Sequence, residues 1–357
     1  MYKTDDDFID FLPALSYNAI FNFFDTVRNT GKTTKAKAWV LARWLKKKKK
    51  CVWIRTFEDD IKECKHNFYT VHKSKPIKIV NELGYSCTAS NIVQEGDYIY
   101  FVEYTEKGKI KSKDWFLHLI SLSNAQSIKG NEIPNCDLII YDEYRTKQER
   151  INRYTGNQAK DFIDIVMSIS RDHYVRAILL GNKETYNNPM YEYLRIQPPS
   201  EDWEGIRTYN DGSILIQQIN HVPKVIEDNA MNRKLKTALK NTPILGYLYD
   251  GKTEGIDRSQ IAKMPGNVYY GCGFVINGSE FSVSYSFDGR AFFRSGLDNQ
   301  QHVYSTSFSN KYKYCERLLR GDKQHFKMLL RLLKMNKVYF CDVSCYEYAQ
   351  NLFKLLM

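Results

Sequence analysis

Short apolar runs alternate with longer amphipathic stretches through the first half of the chain. The apolar runs, which are typical of buried strands, lie at residues 19–24, 51–57, 97–103, 115–121, 136–144 and 175–182. The stretches at 32–45, 58–71 and 159–170 repeat their apolar positions with a helical period. Strands that alternate with helices in this way predict an α/β fold with a parallel, doubly wound sheet.

The pattern changes in the second half. The segment Gln197–Ser200 contains two consecutive prolines and indicates a linker. The elements predicted further on are strands at 268–276, 280–287 and 290–294, a helix over 315–335, a strand over 337–342 and a final helix from 346. That order is compatible with an α/β core of the ribonuclease H type. We therefore predict three parts, which are a first domain over 1–197, a linker subdomain over 198–265 and a last domain over 266–357.

A phosphate-binding pattern follows the first apolar run. Gly31, Lys32 and Thr33 open a helical stretch, which gives the order of strand, loop and helix that a phosphate-binding loop requires. In such a loop the lysine neutralises the β- and γ-phosphates of ATP, and the hydroxyl binds Mg²⁺. Thr26 and Asn29 stand where glycines are commoner, so a chance Gly-Lys-Thr at the start of a helix remains an alternative at this point.

Two carboxylates end the apolar run at 136–144. Asp142 can hold Mg²⁺ opposite Thr33, and Glu143 can act as a general base toward the attacking water. Acidic pairs also end buried strands as solvated charges. However, a Gly-Lys-Thr and an Asp-Glu about 110 residues apart, each after an apolar run, favour a P-loop ATPase domain at the N-terminus.

Other polar residues extend this candidate site. Asn182 ends the run at 175–182 and would lie beside the γ-phosphate, and Arg28 lies within the loop itself. A ring-shaped ATPase also needs an arginine from the neighbouring subunit, for which Arg171 is the first candidate, followed by Arg176 and Arg153. The expected nucleotide-binding residues are Arg28, Asn29, Thr30, Gly31, Lys32, Thr33, Thr34 and Asn182.

Composition adds arguments about partners and compartment. A formal net charge of +11 and a pI of about 9.0 favour a polyanionic partner, most simply nucleic acid, although an ordinary basic protein has the same balance. The eight cysteines are scattered without zinc-site spacing, which indicates reduced thiols in a cytosolic compartment. Because no apolar run approaches about 18 residues and the N-terminus has no signal-peptide core, we expect no membrane partner.

Several of these motifs match one family in their order along the chain. The stretches concerned are Leu15–Thr33, Ser121–Asn124, Pro134–Glu143 and Val175–Asn182. Together they resemble the genome-packaging ATPases of small tailed phages of the phi29 type, and the last stretch is similar to that family's coupling segment. The resemblance covers most of residues 15–190 and is weaker in the C-terminal third. Thr26 and Asn29 are departures from the family's loop.

This resemblance implies an ATPase of the RecA-like, ASCE type, in which the catalytic glutamate adjoins the Walker B aspartate. Such a protein would work in the host cytoplasm as a homo-oligomeric ring, expected to be a pentamer. The ring would dock on the portal vertex of an empty prohead, with a structural RNA as a further candidate partner. ATP and Mg²⁺ are the implied cofactors. Lys32, Glu143 and Arg171 would be catalytic, and Thr33 and Asp142 would bind the metal.

The resemblance also gives two basic segments a role in pumping double-stranded DNA. The expected DNA-binding residues are Lys107, Lys109, Lys111 and Lys113 on a hairpin tip, and Lys147, Arg150 and Arg153 in the loop after the acidic pair. Phosphate contacts without base readout suit a motor that must move along any sequence. Solvated surface lysines explain these loops equally well, and a solvated helix end is the better explanation of the run Lys46–Lys50.

Larger phage packaging motors carry a ribonuclease H-like nuclease, whose two-metal chemistry needs clustered carboxylates. The strand at 268–276 contains no acid, and Asp288 and Asp342 alone are too few. We therefore expect a vestigial fold without nuclease activity. Its basic residues suggest DNA or a structural RNA as a docking partner, or else a solvated face. They are Lys311, Lys313, Arg317, Arg320, Lys323, Lys327, Arg331 and Lys334.

Two other functions stay open at this point. A helicase or another nucleic-acid-stimulated ATPase would use the same loop, but residues 200–357 show no second phosphate-loop pattern. A DNA-binding scaffold that does not hydrolyse ATP is also compatible with the sequence, because Thr26 permits a degenerate loop.

Overall fold

The structure is a computed structural model, and it divides into two compact units. The first unit comprises Met1–Glu184 and Glu204–Lys252, and the second comprises Thr185–Trp203 and Thr253–Met357. The structure describes residues 8–69, 74–127, 133–145, 154, 157–171, 173–183, 188–240, 242–249, 252–253, 256, 258–276, 279–297, 302–306, 312, 315–318 and 326–356.

A mixed sheet organises the first unit. Its described strands are β1 Phe21–Thr26, β2 Lys50–Arg55, β3 Ile92–Glu95, β4 Tyr98–Tyr104, β5 Ile110–Ser121, β6 Cys136–Asp142, β7 Arg176–Asn182, β8 Gly205–Tyr209 and β9 Ile214–Ile219. They follow the order β3-β4-β5-β2-β6-β7-β1-β9-β8. The six strands from β5 to β9 in this order pair in parallel, and antiparallel strands complete both edges. The predicted parallel α/β core is thus confirmed.

Helices connect most of the strands. Those described are α1 Leu12–Leu15, α2 Lys32–Lys47, α3 Glu58–Asn67, α4 Ser74–Glu82, α5 Gln158–Ile169, α6 Pro189–Leu194, α7 Lys224–Glu227, α8 Ala230–Ala238, α9 Pro243–Tyr249, α10 Lys327–Lys334 and α11 Val343–Leu356. α6, α10 and α11 belong to the second unit. Within the described part of the chain, no helix combines the length and the apolar character needed to cross a bilayer.

The central strands are apolar because helices and neighbouring strands cover them. All residues of β6 except Asp137 are buried, which is typical of a strand inside a parallel sheet. Tyr141 places a polar hydroxyl within this buried run, and the hydroxyl has two hydrogen-bond partners. It lies 3.0 Å from the Thr56 hydroxyl and accepts a hydrogen bond from the Gln158 amide at 2.5 Å.

The predicted linker subdomain at 198–265 differs from the observed division. β9 pairs in parallel with β1, from Phe21 opposite Ile214 to Thr26 opposite Ile219, so this segment is part of the first sheet. Residues 253–265 belong instead to the second unit. There Arg258 forms a bidentate ion pair with the buried Glu201, with both N–O distances at 2.8 Å. Sheet pairing between distant segments decides the boundaries, and local composition does not reveal it.

A second sheet organises the second unit. Its described strands are β10 Val268–Ile276, β11 Ser279–Ser286, β12 Ala291–Ser295, β13 Val303–Ser305, β14 Cys315–Arg317 and β15 Val338–Phe340. Their order is β14-β13-β10-β11-β12-β15, with β10, β11 and β12 antiparallel and the others joined in parallel. The three antiparallel strands followed by a helix, a strand and a helix were predicted. Aromatic residues such as Phe281 and Phe293 fill the core beneath α11.

The helix predicted over 315–335 is wrong in its first part. Residues 315–317 form the short strand β14, which pairs in parallel with β13, and the helix α10 begins at Lys327. A strand of three residues leaves too short a pattern to show its period, and pairing with β13 determines its conformation.

The hydroxyl of Tyr141 offers a test of the first core. In Tyr141→Phe, the buried Thr56 and Gln158 lose their shared partner, so we expect the free energy of unfolding to fall by about 1–3 kcal/mol. Urea denaturation followed by tryptophan fluorescence measures the change. Tyr17→Phe is the control, because Tyr17 is 55% exposed and should change stability by less than about 0.5 kcal/mol. Equal stability of the two variants would contradict the assignment.

Candidate active site

Four parallel strands end at the same edge of the first sheet. β1 ends at Thr26, β2 at Arg55, β6 at Asp142 and β7 at Asn182. Thr26 lies opposite Asn182 in the register of β1 and β7. Because side chains that follow the carboxyl ends of parallel strands share one crevice, this edge is where a ligand is expected to bind.

A tight loop connects β1 to α2. Asn29 and Gly31 adopt positive φ angles of 65° and 79°, and Gly31 caps the helix. A Cβ atom on Gly31 would lie 2.9 Å from the ring of Phe8, so glycine permits this close approach. The free backbone N–H groups at the start of a helix as long as α2 form an anion-binding position.

Thr26 stands in this loop where a glycine is commoner, and it is paired with Thr30. Both side chains are buried, and their hydroxyls lie 2.8 Å apart. Thr26 also donates to the Val27 carbonyl at 2.9 Å and accepts from the Lys32 ammonium at 3.3 Å. The threonine that departs from the usual pattern therefore supplies a hydrogen-bond partner for the lysine of the loop.

Lys32 reaches across the sheet edge from the first turn of α2. Its ammonium donates to the side-chain oxygen of Asn182 as well as to Thr26. Burial lowers the pKa of Lys32 from 10.5 to about 8, and the nearby carboxylates of Asp142 and Glu143 oppose that shift. A buried ammonium is suited to binding a polyphosphate, because the attraction between opposite charges is stronger where little water is present.

The acidic pair faces the loop. Asp142 is fully buried, and the Thr33 hydroxyl donates to its Oδ1 at 3.2 Å. Glu143 follows with a positive φ of 58° and a half-exposed side chain. Hydroxyl and carboxylate oxygens that face each other are ligands of the type Mg²⁺ prefers, so Thr33 and Asp142 fit this ion.

Arg55 is a residue of this site that the sequence analysis missed. Its guanidinium lies 3.0 Å from Asp142 and 2.5 Å from Glu143. The position follows from the sheet, because Ile54 lies opposite Tyr141 and Arg55 therefore reaches the end of β6. The signal was present, since Arg55 directly follows a buried run, as Asp142 and Asn182 do.

The other residues predicted for this site lie further out. Arg28 and Asn29 are exposed on the loop, and Thr34 is half-buried in the first turn of α2. Arg171 is exposed after α5, before the amino end of β7, so the fold of one chain does not bring it to Lys32.

Of the two alternative arginines, Arg176 lies within the described residues and Arg153 does not. Arg176 donates to the Asn18 side chain at 2.7 Å, and it lies at the amino end of β7. Arg153 lies outside the described residues, together with Lys147 and Arg150 of the predicted DNA-binding loop.

The predicted basic hairpin is formed by β4 and β5. Lys107, Lys109, Lys111 and Lys113 are all exposed at its turn or at the start of β5. Lys113 pairs with Glu95 at 2.5 Å, and Lys111 lies 3.9 Å from Glu103. Lys107 and Lys109 lie at the turn between the two strands, where their side chains are exposed to solvent.

The two acids considered in the second unit have structural partners. Asp342 accepts the backbone N–H of Cys345 at 2.9 Å and so caps the start of α11, and it also accepts from the Ser295 hydroxyl at 3.1 Å. Asp288 pairs with Arg290 at 2.5 Å in a turn. Among the residues that the structure describes, no group of three His, Cys, Asp or Glu side chains is arranged to hold a metal.

Comparison with known proteins bears on this arrangement. A family model for the podovirus DNA encapsidation protein (Gp16) matches residues 7–222, which is more than half of this chain. The DNA packaging proteins of Bacillus phages phi29 and PZA are each 24% identical to it over 242 residues. Those alignments span 68% of this chain and 61% of each relative, so about three-fifths of the relatives' length is matched.

A solved structure extends the likeness of fold. One chain of the bacteriophage Phi-29 viral genome packaging motor assembly superposes with a TM-score of 0.66 at 19% sequence identity. The match covers 99% of this chain and 100% of that chain. Both units therefore have the fold of that motor chain.

The lowered pKa of Lys32 predicts that the affinity for ATP depends on pH. Bound phosphates favour the charged ammonium, so ATP should bind best below the free pKa of about 8 and more weakly as the pH rises through it. Titration with a fluorescent ATP analogue should show the Kd increasing roughly tenfold between about pH 7 and pH 9.5. Lys32→Ala should bind weakly without this dependence. A wild-type Kd that stays constant over the range would contradict the prediction.

Proposed function

The chain belongs to the podovirus DNA encapsidation protein (Gp16) family, and on that premise we propose that it is an ATP-hydrolysing motor that drives double-stranded DNA into a phage prohead. The observation that carries this proposal is the meeting of a phosphate-binding lysine, Lys32, with Asp142, Glu143 and Asn182 at one sheet edge. Lysine, hydroxyl and paired carboxylates in this order are the groups that phosphoryl transfer to water requires.

Binding begins with the loop. The N–H groups at the start of α2 and the Lys32 ammonium take the β- and γ-phosphates, and the ammonium exchanges its bonds to Thr26 and Asn182 for phosphate oxygens. Thr33 and Asp142 would hold Mg²⁺, which offsets the charge of the phosphates when bound. Asn182 is then free to hydrogen-bond the γ-phosphate.

Hydrolysis requires a base. Glu143 can take the proton of the attacking water, but its carboxylate is paired with Arg55 in the structure. While this ion pair persists, the guanidinium occupies Oε2, one of the two carboxylate oxygens that could face the attacking water. Opening of the Arg55–Glu143 pair therefore precedes proton transfer, which gives the motor a step that DNA or a neighbouring subunit can control.

Oligomerisation supplies the remaining charge. The developing negative charge on the γ-phosphoryl group needs a further cation, and an arginine from a neighbouring subunit can provide it. Arg171 is exposed and lies away from Lys32 of its own chain, which suits action across an interface. We assign it that role in a homo-oligomeric ring, expected to be a pentamer on the portal vertex.

DNA is the proposed cargo, and the β4–β5 hairpin is the proposed contact. The exposed Lys107 and Lys109 carry positive charge without a rigid binding pocket, so they suit phosphates of any sequence. The second unit is proposed as a nuclease-inactive domain, because Asp342 caps a helix and Asp288 is paired with Arg290. Its exposed basic residues, such as Arg317, are candidates for contact with DNA or a structural RNA.

The catalytic assignment is tested by Glu143→Gln. The variant keeps the size of the side chain but lacks the base, so DNA-stimulated ATP turnover should fall by about 10²- to 10⁴-fold while ATP still binds. A coupled phosphate-release assay measures turnover, and equilibrium titration measures binding. Asp59→Asn, at an 88% exposed side chain, is the control and should leave both unchanged. Absence of turnover in the wild type, even with DNA and proheads, would refute the motor function.

The DNA contact is tested separately on the hairpin. In Lys107→Ala/Lys109→Ala, two phosphate contacts are lost, so the slope of log affinity for duplex DNA against log salt should become shallower by about 2. Stimulation of the ATPase by DNA should fall, with the DNA-free rate unchanged. The matched control, Lys46→Ala/Lys47→Ala in the exposed lysine run, should retain wild-type binding. Equal losses in both variants would indicate non-specific charge attraction.

A further inference from the structure

Asp25 is a buried carboxylate directly beneath the candidate site. It precedes Thr26 at the end of β1, and its side chain is 1% exposed. The Tyr144 hydroxyl donates to its Oδ1 at 2.5 Å, and the Arg145 guanidinium lies 3.1 Å from its Oδ2. Tyr144 and Arg145 are themselves buried, so the charges of this pair meet in a desolvated position.

Gly181 in β7 leaves room for the side chains of Tyr144 and Arg145. Gly181 lies opposite Asp25 in the register of β1 and β7. A Cβ atom on Gly181 would lie 2.7 Å from the Tyr144 ring and 2.9 Å from the Arg145 side chain, so a larger residue is excluded there. The backbone N–H of Tyr144 also donates to the Leu180 carbonyl at 3.2 Å. The ion pair and the Tyr144 hydroxyl thus join the end of β1 to the segment after β6, and the Tyr144 N–H joins that segment to β7.

Arg145 of this pair follows Glu143, the proposed general base, by two residues in the chain. Glu143 has a left-handed backbone, which is uncommon for a residue with a side chain of this kind and persists where neighbouring contacts hold it. The two residues that follow it, Tyr144 and Arg145, are the ones anchored on Asp25. The anchor therefore holds the backbone on the C-terminal side of Glu143, while Arg55 contacts the carboxylate itself.

The pair also has an electrostatic role. A lone carboxylate at Asp25 would repel phosphates bound at Lys32, since little water is present to screen the charge. Arg145 neutralises that carboxylate at 3.1 Å. Stability alone is a weak reason for such an arrangement, because a buried ion pair is often replaceable by apolar residues without loss of stability.

The geometry points to Asp25 and Arg145 as a positioning pair, which orients Glu143 for proton abstraction and keeps the floor of the phosphate site electrically neutral. This inference rests on the proposed ATPase function. It assigns no contact with substrate to either residue. It predicts that the two charges have opposite effects on ATP affinity and the same effect on turnover.

Three variants of the full chain separate those effects. In Asp25→Asn, the remaining Arg145 cation should leave the Kd for MgATP unchanged or lower, while kcat falls about 10- to 100-fold because Glu143 is misplaced. In Arg145→Gln, the remaining carboxylate should increase the Kd roughly tenfold, with a similar loss of kcat. In the double variant Asp25→Asn/Arg145→Gln, the Kd should return to within about threefold of wild type, but kcat should stay low.

The double variant is decisive, because it removes both charges of the pair together and should fold even if a single variant does not. Recovery of wild-type kcat in it would show that the pair merely stabilises the fold, and would overturn the inference. The control is Arg43→Gln/Asp137→Asn, which removes a partly buried ion pair of 2.5 Å elsewhere in the first unit and should change neither constant.

A measurement that does not depend on turnover distinguishes failure of this inference from failure of the proposed ATPase function. A crystal structure of the double variant should show Glu143 leaving the left-handed conformation. If the wild type binds MgATP without hydrolysing it, the proposed function fails. The backbone conformation of Glu143 in the double variant then still tests whether the pair positions Glu143. An unchanged Glu143 in the double variant would overturn the inference whatever the ATPase assay shows.

Discussion

Parallel pairing of four strands is the constraint on which the candidate site depends. Lys32 and Asn182 are 150 residues apart, and Thr33 and Asp142 are 109 apart, yet both pairs are within hydrogen-bonding distance. They meet because β1, β2, β6 and β7 run in the same direction with matched ends. Since side chains alternate between the two faces of a strand, a shift of one residue in any of these pairings would turn a site residue to the opposite face.

The same constraint explains why much of the fold and several of these positions could be predicted from the sequence. A run of buried residues marks a strand, and a polar residue that follows the run lies at the carboxyl edge. The positions of Asp142, Glu143 and Asn182 follow from that rule alone. Lys32 and Thr33 follow from the loop that must connect β1 with α2. These predictions need only local patterns and the knowledge that the sheet is parallel.

Contacts between distant segments were not predictable in this way. The strands β8 and β9 look like part of a linker, and only pairing with β1 makes them part of the first sheet. The contact of Asp25 with Tyr144 and Arg145 joins residues about 120 apart, and no spacing in the sequence indicates it. Arg55 is different, because the rule that identified Asp142 applies equally to the end of β2.

The Thr26–Thr30 hydroxyl pair has a consequence for how phosphate-binding loops are recognised from sequence. A letter pattern that demands glycine at the first position of the loop rejects this chain, although its lysine has a partner there. In this chain a small hydroxyl side chain turns inward at that position and accepts a hydrogen bond from the lysine. A pattern that admits threonine at that position, when a second threonine stands four residues later, accepts this chain.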